Sequence, residues 1–539
     1  MPEINYAKMK LDFEHVHIYP YNNVNVIVAS LNDEFMLQIK SHFTLRKENY
    51  QFTPAYKSGN WDGNIRFIWK NGLMPRGLLK ECIQELQRLN IPFKISKELL
   101  PYHMEVDDFE EVTKKTLMAK QEKPLEPYAY QWDVAKRICR NEIGVARAAT
   151  SAGKTFMTAL ALNYLFEKEE VTKVLVIVPS IMLVVQMREN FVDDYGMDKS
   201  MVGMYMGREK DSEPPIVVGT WQSLMNIEDK KFFKQFDMVV VDECHKANKG
   251  AGTSKKDRSI LGGSQIKQIL DKCTRAVRRI GVTGTLPTND VDVKTVLGCL
   301  GPILVEVTAR DLMDKGHITD LQIVTPIIGY DMTDCRPKIE TIKSRITKEW
   351  AERRHPKPLV EKDMKMIRFH AERQFLESYI PRFKYMTSLV KKRLQKDENV
   401  LILVHSVEYG ANLVKVLRKR LKDATYVEHV HGDINLDVRN AAIKSMEENT
   451  KCVIVATMSI FGTGVSIKNL HTVIFGSTTK AKISVLQAIG RSLRKHESKK
   501  RATVIDIVDD LPYAQRHATE RMSYYEEEGF DIKFVEVTI

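Results

Sequence analysis

Ala149-Thr150-Ser151-Ala152-Gly153-Lys154-Thr155 stands between a short apolar run, Ile143 to Ala146, and a longer one, Phe156 to Phe166. The order reads as a buried strand, a loop of small residues and the N-terminus of a helix. Such a loop turns successive backbone N–H groups inward, and the helix dipole adds positive potential at the same place. A triphosphate fits there, with Lys154 reaching the β- and γ-phosphates and the Thr155 hydroxyl ligating Mg²⁺. The pattern Gly-x4-Gly-Lys-Ser/Thr is met except at its first position, which is Ala148. A chance Gly-Lys-Thr in a loop would look the same, so the rest of the chain must decide.

Outward from this stretch, apolar runs and helical segments alternate, as a parallel α/β sheet requires. Strands buried on both faces appear as continuous apolar runs. One series comprises Val174–Val178, Ile216–Val218, Met238–Val241 and Ile280–Thr283. A second comprises Val400–Val404, Thr425–His429, Cys452–Ala456, Thr472–Phe475 and Thr503–Val508. Two series imply two α/β domains in tandem, over 126–312 and 313–539. Residues 1–97 read as a small α+β unit, with a strand at Val24–Ser30 and a helix at Asp33–Phe43. Residues 98–125 are polar and Pro-flanked and read as a linker.

The chain has 539 residues, 43% of them hydrophobic, and a net charge of +12 from 82 basic and 70 acidic residues. That surplus favours a polyanionic partner. Nearly all of it lies in Arg336–Lys396, where 18 Lys/Arg against 7 Asp/Glu leave +11. This insertion, 336–396, reads as helical, with breaks at Pro356, Pro358 and Pro381. A solvated helical surface is the plain account of any single base there, but the concentration suits phosphate. A second basic stretch, Tyr50 to Leu79, interleaves Lys57, Arg66 and Lys70 with Trp61 and Trp69. Rings stack on bases and cations meet phosphate, so this region is a candidate nucleic-acid surface. Its plain alternative is a hairpin whose aromatics are core. The seven cysteines are scattered and odd in number, with no Cys-x2-Cys pair. Neither a disulfide framework nor a zinc site is expected, and a cytoplasmic setting fits. No apolar run is long enough to span a membrane, and no leader-like apolar segment opens the chain.

Met238–Val241 is followed at once by Asp242-Glu243-Cys244-His245. A buried strand thus delivers two carboxylates at its C-terminal end, where ligands bind in α/β sheets. Asp242 can hold Mg²⁺ and Glu243 can polarise the water that attacks the γ-phosphate. In the second series, Gln487-Ala488-Ile489-Gly490-Arg491-Ser492-Leu493-Arg494 places Arg491 and Arg494 three apart, on one helix face. Guanidinium groups opposite the phosphate loop would stabilise transition-state charge and would require the domains to close.

Tyr130-Gln131, the loop 149–155, Asp242–His245, Thr283-Gly284-Thr285, the Gly462–Ser466 turn and Gln487–Arg494 occur in the order of superfamily 2 helicases. Over roughly the whole chain, and especially through Gly59-Asn60-Trp61-Asp62-Gly63, the sequence resembles the UvsW branch-remodelling helicases of T-even phages. The resemblance implies two RecA-like domains behind an N-terminal DNA-binding domain. It implies that Gln131 reads the adenine edge and that Thr150, Ser151, Ala152, Gly153, Lys154 and Thr155 cradle the phosphates. Gln487 joins Arg491 and Arg494 in the catalytic set. Thr283 and Thr285 would couple the nucleotide site to the strand, while Pro179, Ser180, Gly219, Thr220 and Thr457 would touch the nucleic-acid backbone. Ser466 departs from the Asp of many relatives.

The expected activity is ATP-driven remodelling of branched DNA: fork regression, Holliday-junction migration, and D-loop and R-loop unwinding. ATP and Mg²⁺ are the implied cofactors. Branched and single-stranded DNA, RNA–DNA hybrids, and single-strand-binding or recombination proteins are the implied partners, with no membrane. An RNA-directed helicase, a restriction-type motor subunit and a DNA-binding scaffold with a vestigial ATPase are the alternatives. The intact Lys154, Glu243 and Arg491 speak against the scaffold.

Overall fold

The computed structural model describes residues 9–121, 124–248, 265–354, 358–422, 424–458, 467–477, 479 and 481–539. The Gly462–Ser466 turn and Pro356 lie outside the described residues. The chain divides into two compact units, one of Met1–Ala149 with Gly153–Val307, the other of Thr150–Ala152 with Thr308–Ile539.

The first unit begins with a four-stranded sheet in the order Leu73–Pro75, Asn25–Ala29, Val16–Pro20, Phe93–Ile95. Helices Asp33–His42 and Leu79–Arg88 pack on it. The Asn32 side chain accepts from the N–H groups of Glu34 and Phe35, which starts the first helix. Val16, Ile18, Val26, Val28, Ile39, Phe43, Phe67 and Leu86 form the core. This module is not a loose appendage. A Cβ built on Gly77 would lie 2.0 Å from the Leu297 carbonyl oxygen, so only glycine lets the chain approach helix Asp290–Leu300. Lys294 Nζ pairs with Glu81 at 2.7 Å, and Arg76 with Glu142 at 2.5 Å.

The larger sheet of this unit runs Glu209–Lys210, Val202–Met206, Ile216–Thr220, Val174–Val178, Met238–Asp242, Arg278–Thr283, Ile143–Ala148, Ile303–Val307. All neighbours are parallel except the first pair. The stretch read as a linker contains a helix, Phe109–Thr116. Phe109 is fully buried, with its ring 4.7 Å from that of Tyr164 and 5.8 Å from that of Trp132. Burying that ring outweighs the polar composition around it.

The second unit carries a sheet of order Tyr426–Val430, Cys452–Thr457, Val400–Val404, Thr472–Phe475, Arg501–Asp506, Asp320–Gly329, with Val508–Asp509 and Ile532–Thr538 both alongside the last. Every pairing is parallel. The basic insertion is three helices, Met332–Arg354, Glu361–Ser378 and Ile380–Leu394. Pro381 sits in the first turn of the third, where its missing N–H costs nothing. Arg382 anchors this helix to the sheet. Its Nε and Nη2 reach the two Asp509 oxygens at 2.8 and 3.0 Å, and Nη1 donates to Tyr409 Oη at 2.8 Å and Gly476 O at 3.1 Å. Among the described residues no helix is long and apolar enough to cross a membrane.

Candidate nucleotide and nucleic-acid site

Strand Ile143–Ala148 leads into helix Lys154–Glu167, which is buried on nearly all sides. Ser151 and Gly153 take the left-handed conformation, at φ 72° and 84°, so the chain reverses within five residues. No side chain caps the helix, so its first-turn N–H groups remain for an anion. Ala148 is the last residue of the strand, fully buried, and pairs with Val307. Its φ is not positive, so the motif's first glycine is dispensable here. Lys154 Nζ reaches only the Ala148 carbonyl, at 3.4 Å, and has no carboxylate in ion-pair range among the described residues.

Gln131 lies in the first turn of helix Ala129–Arg140, where its Oε1 accepts from Tyr128 N at 3.0 Å. A Cβ on Gly153 would meet Gln131 Nε2 at 2.5 Å, so the amide sits against the phosphate loop. The structure thus brings Gln131 against Gly153.

Asp242 ends strand Met238–Asp242, and Glu243 follows with φ 50°. A non-glycine residue in that region is strained, and such strain gathers at functional sites. Burial, and next the Glu243 carboxylate, push the Asp242 carboxyl above the ordinary range. Burial also works against the Glu243 carboxylate, but the His245 hydrogen bond and the Lys154 charge outweigh it and hold that acid low. An ammonium close to, but not ion-paired with, a partly exposed carboxylate pair suits a phosphate with its divalent cation.

From Glu243 a chain of contacts runs across the strand ends. His245 Nδ1 lies 3.2 Å from Glu243 Oε2 and 2.9 Å from Thr283 Oγ1. Thr283 Oγ1 donates to Thr285 O at 2.9 Å and accepts from Thr285 N at 3.3 Å. Because the Thr283 proton is given to Thr285, His245 Nδ1 is the donor to Thr283. His245 and Thr283 are fully buried. The two threonines read as couplers are thus wired to the acidic pair through His245. Reading residues singly passed over His245, although Met238–Asp242 and Arg278–Thr283 end side by side in one parallel sheet.

The residues read as strand contacts sit at C-terminal strand ends but have local duties. Ser180 Oγ and Thr220 Oγ1 cap helices Ile181–Glu189 and Trp221–Met225, accepting from Leu183 N and Ser223 N at 3.4 and 3.2 Å. Pro179 precedes the first cap, Gly219 lies inside strand Ile216–Thr220, and Thr457 is buried at the end of Cys452–Thr457.

In the second unit, Gln487 and Arg491 lie on helix Lys482–Ser492, both 8% exposed. Arg494 does not share their helical face. The helix ends at Ser492, whose carbonyl accepts from Lys499 Nζ at 2.8 Å, while Leu493 O and Arg494 O accept from Thr319 at 2.8 and 3.1 Å. Those bonds take the carbonyls that further helical turns would need.

In the N-terminal module Lys57 and Lys70 are exposed. Arg66 is bound to Asp62, with one contact at 3.2 Å and a second, shorter one. Trp61 Nε1 donates to Asn64 O at 2.8 Å. Trp69 is partly buried and packs against Ile27, Ala29 and Leu73.

Three family descriptions match the chain: "DNA helicase UvsW, N-terminal" over 13–96, "Type III restriction enzyme, res subunit" over 124–288 and "Helicase conserved C-terminal domain" over 381–496. The "ATP-dependent DNA helicase uvsW" of Enterobacteria phage T4 is 30% identical over 542 residues, covering 96% of this chain and 98% of that protein. The "Type I restriction enzyme EcoAI endonuclease subunit" of Escherichia coli is 24% identical, covering 65% of this chain and 41% of that protein. Among solved structures, a fragment of a type I restriction HsdR subunit from Vibrio vulnificus has a TM-score of 0.54 at 16% identity, covering 94% of this chain and 83% of that one. That likeness concerns the fold alone.

Proposed function

Because the chain belongs to the UvsW family of DNA helicases, we propose that it is an ATP-driven motor that remodels branched DNA. The observation that carries this reading is the contact chain from Glu243 through His245 to Thr283 and Thr285, beside a lysine with no carboxylate in ion-pair range among the described residues.

We assign the roles as follows. The Thr150–Gly153 backbone and the first-turn N–H groups bind the phosphates, and Lys154 neutralises them. Thr155 and Asp242 would hold Mg²⁺, which when bound offsets charge on the β- and γ-phosphates. Gln131, held by Tyr128, faces the base. Glu243 stays ionised at neutral pH and accepts hydrogen bonds, so it orients the attacking water. When that carboxylate moves, His245 carries the change to Thr283 and the adjacent strand end. Thr150–Ala152 of the loop belong to the same unit as Arg491, and Ser151 Oγ donates to Gly490 O at 2.7 Å, so Arg491 stands one residue from that contact with the loop and would stabilise charge on the transferred phosphate. Gln487 supports that face, and Arg494, beyond the helix, contacts phosphate from a bend. Residues 126–312 and 313–539 form the motor. Residues 1–97 grip a duplex arm through Lys57 and Lys70, positioning without reading sequence.

ATP hydrolysis measured with single-stranded, duplex, forked and four-way DNA, and with RNA, tests the reading. Stimulation by forked and four-way DNA above that by RNA supports it. Equal or greater stimulation by RNA would replace it with an RNA-directed motor.

A further inference from the structure

The second unit contains a cleft of about 970 Å³ between the insertion helices Met332–Arg354 and Glu361–Ser378 and the start of helix Pro512–Glu527. Five Lys/Arg and two Glu line it, leaving +3. Both carboxylates are engaged. Glu340 pairs with Lys343 at 2.8 Å. Glu372 accepts from Tyr513 N and Ala514 N at 3.1 and 2.7 Å, capping the helix that begins at Pro512. Of the cations, Lys343 and Lys365 have acidic partners, Glu340 and Glu361. Arg336, Arg368 and Arg516 are exposed and have no carboxylate in ion-pair range among the described residues. The same cleft is lined by two partly exposed rings, Phe369 and Tyr513, with centroids 5.8 Å apart at 68°.

We propose that this cleft binds single-stranded nucleic acid, a contact additional to those of the motor's strand ends. The inference rests on reading the chain as a DNA motor. Three unpaired guanidinium groups match phosphates, which they grip in a fork that lysine cannot form. The rings that line the same cleft can stack only on unpaired bases, since those of a duplex are stacked inside it. Rings and cations sharing one groove are what holds single strands without sequence preference. The wall of Phe369 and Tyr513 is fixed, because Tyr513 Oη donates to Lys365 O at 3.0 Å and Tyr513 N is held by Glu372.

The test uses the full chain and a fluorescein-labelled fifteen-residue oligo-dT, with anisotropy read across a salt series. The triple variant Arg336→Ala/Arg368→Ala/Arg516→Ala should bind more weakly by at least about 10-fold at low salt. Its slope of log K against log salt should shrink by about 2, three contacts at about 0.7 each for a single strand. Phe369→Leu should weaken binding about 5-fold with an unchanged slope, and Phe369→Trp should restore it. Nucleotide binding in the first unit should be unaffected in every variant. An unchanged slope and affinity in the triple variant would overturn the proposal. So would capture of a labelled Asp/Glu-rich peptide that the variant loses while oligo-dT binding stays intact, which would reassign the cleft to an acidic protein partner. If the wild type binds oligo-dT through these arginines but DNA never stimulates its ATP hydrolysis, the cleft stands and the motor reading falls.

Discussion

Thr283→Val removes one hydroxyl and keeps the shape of a fully buried side chain. In the wild type that hydroxyl accepts from His245, donates to Thr285 O at 2.9 Å and accepts from Thr285 N at 3.3 Å. Valine strands the Thr285 carbonyl and N–H without this partner. Each buried group left unsatisfied costs about 1–3 kcal/mol, and partial relaxation makes about 2–4 kcal/mol the expected loss for the first unit. His245 would keep only Glu243, so the path from the acidic pair to the neighbouring strand is cut. Urea titration should show a lower midpoint at constant m-value. ATP hydrolysis without DNA should stay within about 3-fold, because neither Lys154 nor Glu243 is touched. Unwinding of a forked duplex should fall more than about 10-fold, equivalent to about 1.4 kcal/mol. Thr283→Ser keeps the hydroxyl and should behave like the wild type. Thr283→Val with normal unwinding per ATP hydrolysed would refute the coupling role.

Lys154→Ala should abolish ATP turnover, and Glu243→Gln should keep nucleotide binding while stopping hydrolysis; rapid turnover in the latter would remove Glu243 from its role. Arg491→Ala should bind ATP normally yet turn over about 10³-fold more slowly, and an unchanged kcat would leave Arg491 a structural residue. Burial and Glu243 raise the Asp242 pKa above its unfolded value, so ionising it costs stability as pH rises beyond the ordinary carboxylate range near 4. Asp242→Asn should therefore raise the melting midpoint of the nucleotide-free protein at pH 7.5, with no gain at pH 4, and a lower midpoint at pH 7.5 would contradict that sign. Lys57→Glu/Lys70→Glu should reduce the salt slope for forked DNA by about 1.8, two duplex contacts at about 0.9 each, with oligo-dT binding unchanged; an equal loss for both would deny the module a duplex role.

How much of this was legible follows from the physics of each element. Val400–Val404 and Thr472–Phe475 match their apolar runs residue for residue, because strands covered on both faces admit little else. Strand Ile532–Thr538 left no such run, since it is largely exposed beside Asp320–Gly329. Helix Phe109–Thr116 was hidden by polar neighbours, as one buried ring decides its docking. The N-terminal module read as separable, yet Gly77 against Leu297 welds it to the first unit, a closeness that composition cannot signal. Arg494 was misplaced on the helix because three-residue spacing says nothing of where a helix stops. Lys499, seven residues on, takes the carbonyl of Ser492, and Thr319, distant in the chain, takes those of Leu493 and Arg494. At the site the phosphate loop and acidic pair were readable from local order. The role of His245 was not, because it depends on two strands ending together.

Among all these tests, migration of a four-way DNA junction measured with ATP consumption in the same reaction bears most directly on the central claim. The account predicts that junction arms are exchanged only while ATP is hydrolysed, and that Lys154→Ala abolishes both together. Junction-stimulated hydrolysis without any arm exchange, or arm exchange that persists in Lys154→Ala, would contradict it.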